Sequence, residues 1–229
     1  MLNLTIIGTS HIAAQSIKEI KKAMVEGNPE LVAVELDLAR ATSLFQEERK
    51  GLSITAIRQL GVKGYLFAKI GQLVQQKLGK MVGVAPGTEM KTALELARKQ
   101  KIRVAFIDQP IQITLRRFSQ SITWREKGRF VGDIMKGVFF PKQQLRELGL
   151  AEFDLQTVPA PEVVAIMIKN LQKRYPSVYR TLVEERNKYM VRQLVRLLRE
   201  YPGQKILVIV GAGHVEGMQE LLRKVEVVR

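Results

Sequence analysis

Residues 206–214 read Ile-Leu-Val-Ile-Val-Gly-Ala-Gly-His, and they decide how this chain folds. Five consecutive apolar residues, mostly β-branched, make too short a run for an ordinary helix. They also lack the alternation of a strand that faces water on one side. Such a run reads as a strand covered on both faces. The same pattern recurs at residues 4–7 before Gly8-Thr9-Ser10-His11, at 31–34 before Glu35-Leu36-Asp37, and at 102–107 before Asp108. Segments of helical period lie between the runs. The class is therefore α/β, a central, largely parallel sheet with flanking helices.

The helical segments carry their own punctuation. Residues 15–27 set Ile17, Ile20 and Met24 on one face and stop at Gly27-Asn28-Pro29. Pro86-Gly87-Thr88 opens a helix to about residue 100, with Ala93, Leu94 and Ala97 inward and Glu89 in its first turn. Residues 161–174 and 177–200 form two more, separated by Tyr175-Pro176 and closed by Pro202-Gly203. Residues 52–83 are a long, largely apolar helical stretch. With no repeat or linker in view, the expectation is one domain over 1–229 with a helical insertion at about 40–100.

Composition removes whole classes of function. The chain has 229 residues, of which 46% are hydrophobic, enough to exclude wholesale disorder and to build a core. It has no cysteine, so disulfides, thiol catalysis and cysteine zinc sites are excluded. A metal would have to be held by His, Asp or Glu. No secretory leader or membrane-length apolar window is read, so the expected location is cytoplasmic or peripheral to a membrane.

Lys and Arg number 37 against 22 Asp and Glu, a net charge of 37 − 22 = +15. From residue 50 to 88 the charged residues are Lys50, Arg58, Lys63, Lys69, Lys77 and Lys80 until Glu89. That stretch could lie on an anionic membrane surface, pack against a partner, or support a homo-oligomer. The competing reading is a core-covering hairpin with a solvated basic face. No helix-turn-helix, RNA-binding or zinc-finger signature accompanies the charge, so a nucleic-acid partner is not expected.

Both histidines of the chain, His11 and His214, stand in Gly-x-x-His at the end of an expected strand. With glycine at about 7% of residues, two such placements by chance have odds of roughly half a percent. In a parallel sheet the carboxyl ends of the strands share one edge, where ligands bind. His11, His214, Glu35, Asp37 and Asp108 would then line that edge. Two histidines and a carboxylate can hold a transition metal that acidifies water or polarises a carbonyl. They can equally serve without metal, as base and orienting acid, or simply hydrogen-bond in loops.

A wider set of residues resembles the TraB family. It comprises Gly8-Thr9-Ser10-His11, Val34-Glu35-Leu36-Asp37 with Arg40, Pro86-Gly87-Thr88-Glu89-Met90, and Ile107-Asp108 with Thr114-Leu115-Arg116. It continues with Glu185-Arg186-Asn187 and Met190, then Val210-Gly211-Ala212-Gly213-His214 and Gly217. That family includes pheromone-shutdown proteins and is related to Tiki proteases, erythromycin esterases and ChaN-like proteins. The resemblance implies an erythromycin esterase/ChaN-like α/β fold with both Gly-x-x-His motifs facing one cleft. It further implies a divalent metal (Mn or Co, with Zn or Fe as substitutes) on His11 and His214 with Glu35 or Glu89. Asp108 and Arg186 would organise the site. Ser10, Arg116, Glu185 and Asn187 would face a peptide or small-molecule substrate. Gln109 departs from the pattern, standing where an arginine commonly follows the aspartate.

The leading expectation is a metal-dependent peptidase that inactivates a pheromone-like peptide. A metal-free hydrolase with His11 as general base, and a non-catalytic peptide-sequestering protein, are the alternatives.

Overall fold

Strands form at the four apolar runs: β1 (Leu4–Thr9), β2 (Leu31–Val34), β3 (Arg103–Phe106) and β4 (Ile206–Gly211). The computed structural model describes residues 3–9, 14–45, 87–139 and 161–227. Ser10, His11 and the 52–83 stretch with its basic residues lie outside the described residues, as does most of the expected insertion. Among the described residues, no helix is long and apolar enough to cross a membrane.

All strand pairs are parallel, in the order β1-β4-β2-β3. Register brings Thr9 beside Gly211, and Val34 beside both Ile209 and Phe106, so the carboxyl ends of the strands are aligned. Pairing persists past β2 and β3, because Asp108 N–H donates to the Leu36 carbonyl at 3.2 Å. Burial on both faces holds for the central strands β2 and β4. β3 lies at one edge of the described sheet, and Arg103 and Phe106 at its two ends stay exposed.

Helices cover both faces. α1 (Ala14–Glu26), α2 (Leu38–Phe45) and α3 (Thr88–Lys99) lie on one side, where Ile20, Met24, Met90 and Ala93 meet Val32, Val34, Leu207 and Ile209. α1 ends where Asn28, not Gly27, adopts the left-handed conformation, at φ 42°. Gly87 opens α3 at φ 85°, a conformation that favours glycine.

After β3 come α4 (Ile111–Ser121), α5 (Trp124–Phe139), α6 (Pro161–Arg174) and the single turn α7 (Pro176–Tyr179). A π-helical segment at Arg180–Glu184 follows, and then α8 (Glu185–Glu200) and, after β4, α9 (Ala212–Val227). The expected helix over 177–200 is thus interrupted by a wider turn. The second core unites Met190, Val191 and Leu194 of α8, Met218 and Leu222 of α9, and Ala33, Val208 and Val210 of the sheet.

Leu194 is fully buried, whereas Leu38 is 68% exposed. Leu194→Ala should therefore cost about 2–5 kcal/mol of unfolding free energy. Leu38→Ala should stay within about 0.5 kcal/mol of wild type. Denaturant titration of the two variants checks the layer assignment.

Candidate functional site

Residues just beyond the strands create one ionic network. Glu35 and Asp37 follow β2, Asp108 follows β3, and His214 sits in the first turn of α9 just after β4. All four side chains are buried, and Arg186, the second residue of α8, reaches in from the helical layer. Its Nε and Nη2 hold the two Asp108 oxygens at 3.0 and 2.7 Å, a bidentate fork. Nη2 also donates to Glu35 Oε1, and Nη1 to the Leu182 carbonyl at 3.2 Å. Burial works against the charge on Arg186, but the Glu35 and Asp108 carboxylates outweigh it and raise its pKa above the ordinary arginine value.

Asp108 is clasped a second time. Arg40 Nη2 donates to Asp108 Oδ2, and Arg40 Nε reaches Asp37 Oδ2 at 2.9 Å. Asp37 in turn accepts from the Arg40 and Ile111 amides, at 2.9 and 3.1 Å, tying β2 to the start of α4. Gln109, at the family's usual arginine position, gives its amide to Asp108 Oδ1 at 2.8 Å. Its side chain is buried and donates to Thr114 Oγ1 at 3.0 Å.

His214 is held from two sides. Its Nδ1 is 2.6 Å from Asn187 Oδ1, and since a carbonyl oxygen only accepts, Nδ1 carries the proton. Nε2 faces Glu35 Oε1 at 3.4 Å. Glu35 Oε2 accepts from Gly211 N–H at 2.5 Å, so this carboxylate also satisfies a donor at the positive end of α9. Close helix approach makes room for the arrangement: a Cβ at Gly217 would come within 2.4 Å of Asn187 Nδ2.

Glu35, Asp108, Arg186 and His214 therefore come together, with Asp37 on the same edge, while Asn187, expected to face substrate, is buried against His214. Arg40 joins them, and although its motif was visible, its reach to Asp108 was not. Glu89 is buried in the first turn of α3. Glu185 ion-pairs with Arg117 at 3.0 Å, while Arg116, the basic residue expected to face substrate, is exposed on α4. Ser10 and His11 lie outside the described residues. Among the described residues, no three His, Asp or Glu side chains group as a metal-binding set.

Fold and site define an α/β protein that gathers a histidine and an acid–arginine network at the carboxyl edge of a parallel sheet. The chain belongs to the TraB/PrgY/gumN family, whose profile matches residues 2–227. It is similar to Uncharacterized protein MJ1365 of Methanocaldococcus jannaschii, 33% identical over 227 residues, which are 98% of this chain and 54% of that one. It is also similar to TraB domain-containing proteins of Bos taurus (27% over 243 residues) and Homo sapiens (25% over 239). In each of those two matches 94% of this chain and 61% of the relative are covered. The chain thus spans little more than half the length of these relatives.

Two predictions follow from the geometry. Arg186→Leu leaves Glu35 and Asp108 buried beside each other without their shared cation, and should cost about 3–5 kcal/mol in denaturant titrations. Gly217→Ala should displace Asn187 and release His214 Nδ1. With two histidines in the chain, nitrogen-15 imidazole spectra will show it as a change in one of two resonance sets.

Proposed function

We propose that this edge is a hydrolytic site of metallopeptidase type, in which His214, His11 and Glu35 hold a divalent cation beside a peptide or small-molecule substrate. The observation that carries the reading is the meeting of His214 Nε2 with Glu35 Oε1. Asn187 fixes Nδ1 as a donor, so an unprotonated Nε2 would present its lone pair beside a carboxylate oxygen, a pair that can hold one cation. Their separation of 3.4 Å exceeds a well-formed N–H···O bond and lets both atoms contact one ion.

The donor set, imidazole and carboxylate with a hydrogen-bonded outer partner, suits Mn, Co, Zn or Fe. A metal held here would polarise a substrate carbonyl and acidify a water.

The protein's own groups then have separate tasks. Asn187 fixes the tautomer and orientation of His214. Arg186, already committed to two carboxylates, positions Glu35. Asp108 holds Arg186 and Arg40 in place without facing the substrate. A proton released from an attacking water would pass to a carboxylate, Glu35 at the edge or Glu89 of α3. The inactivation of a peptide signal is the substrate class we favour, resting on the family relationship.

Elemental analysis of wild-type protein, His214→Ala and His11→Ala, with peptide cleavage measured before and after chelation, tests the reading. Stoichiometric metal in wild type, lost from both variants together with cleavage, is the expected outcome. Cleavage that survives chelation but not His11→Ala would replace it with the metal-free hydrolase. No metal and no cleavage after metal loading would favour a binding protein.

A further inference from the structure

Among the described residues, the hydrogen bonds that tie helix α5 to the body come from one face. At its start Thr123 and Glu126 form a capping box: Thr123 Oγ1 accepts from Glu126 N–H at 3.2 Å, and Glu126 Oε2 accepts from Thr123 N–H at 2.9 Å. Glu126 Oε1 also accepts from Ser177 N–H at 2.7 Å, linking α5 to α7. Two turns further, Asp133 accepts from Arg174 and from the Tyr175 hydroxyl, and between them Phe130 meets Tyr175 edge to face at 6.3 Å. Positions 126, 130 and 133 share the inward face, so both acids of the helix are turned to the body and bonded there.

The opposite face carries Trp124, Gly128 and Val131, spaced as i, i+4 and i+7. Trp124 is 80% exposed and Val131 60%. A Cβ at Gly128 would meet nothing within 4 Å, so the space beside the stripe is open. Lys127 borders the stripe on one side, its Nζ 4.1 Å from the Trp124 ring centroid, and Arg125 and Lys136 border it on the other. The result is an apolar line between two cationic rims, with no acid on that side of the helix.

We propose that this face of α5 docks on an anionic lipid surface, with Trp124 and Val131 entering the headgroup–acyl boundary and Arg125, Lys127 and Lys136 meeting lipid phosphates. The argument is charge complementarity combined with an apolar need. A cationic rim alone would suit any polyanion, but an exposed tryptophan and valine between the rims call for an apolar phase beneath the charge layer. A second copy of the chain fits poorly, because it would set cations against cations on a molecule of net charge +15. The surface is separate from the site at the sheet edge and stands whether or not that site hydrolyses anything.

Trp124 is the chain's sole tryptophan, so its fluorescence reports this face without background. With phosphatidylcholine vesicles rich in phosphatidylglycerol, its emission should shift to the blue and the protein should co-float with the lipid. Pure phosphatidylcholine and high salt should abolish both effects. Lys127→Glu combined with Lys136→Glu should weaken partitioning at least roughly tenfold. Val131→Asp should reduce the blue shift while the far-ultraviolet circular dichroism stays unchanged. An unaltered spectrum with anionic vesicles would overturn the proposal. So would an equal shift with double-stranded DNA, or a shift on concentrating the protein without lipid, which would assign the face to nucleic acid or to self-association.

Discussion

Arg186 lies between Glu35 and Asp108, and the architecture of the carboxyl edge depends on that contact. Burying an ion costs several kcal/mol, and the cost is recovered only where opposite charges meet in good hydrogen-bonding geometry. Here one guanidinium satisfies carboxylates from the ends of two strands, and its third nitrogen finds a helix carbonyl. Well-packed apolar residues would stabilise such a position at least as well. A polar network retained in its place joins three elements in one alignment and brings Asn187, the next residue of α8, against His214. Arg40 works in parallel, fixing Asp108 from the α2 side, so losing either clasp would still leave the aspartate one cationic partner.

The sheet was legible because the central strands are apolar without interruption, and only a strand covered on both faces needs to be. The same reading overestimates β3, whose sequence resembles its neighbours although its environment is that of an edge. Sequence reports what a strand can bury, and the order of strands decides what it does bury. The acids at the strand ends were legible for a related reason: polar residues directly after buried strands have one edge to occupy. The contact from Arg40 to Asp108 was not, since 68 positions separate them and only the sheet order brings β2 and β3 side by side. Thr123-x-x-Glu126 carried a readable capping signature, yet the second task of Glu126, bonding Ser177, depends on tertiary placement.

The repeated Gly-x-x-His spacing conceals unequal roles for its glycines. Gly8 lies within β1 beneath α9, where a Cβ would come within 3.1 Å of the Ala212 Cα and 2.9 Å of Val215. Glycine is needed there for the approach of a strand to a helix. Gly211 ends β4 and offers its amide to Glu35. Gly217, outside either motif, makes room for Asn187 between α8 and α9. Gly8 and Gly217 therefore let α9 approach two different neighbours, while Gly211 contributes its amide, and the common result is the placement of His214.

The π-helical segment at Arg180–Glu184 bears on the same placement. A wider turn holds one more residue than an α-turn, and side-chain periodicity hides it, because Ser177 before it and Thr181 within it are four apart, and Asn187, Met190 and Leu194 after it keep ordinary helical spacing. Without the added residue, α8 would emerge rotated by roughly 100° relative to α7, and Arg186 and Asn187 could not both reach the sheet edge. The segment even takes part directly, since the Leu182 carbonyl that receives Arg186 Nη1 lies within it. Glu35 closes the circuit, because Oε1 is shared by Arg186 and His214 while Oε2 is held by α9. A change of charge at His214 must therefore be felt by Arg186 and Asp108, which makes whatever binds the histidine a participant in the stability of the α8–sheet contact.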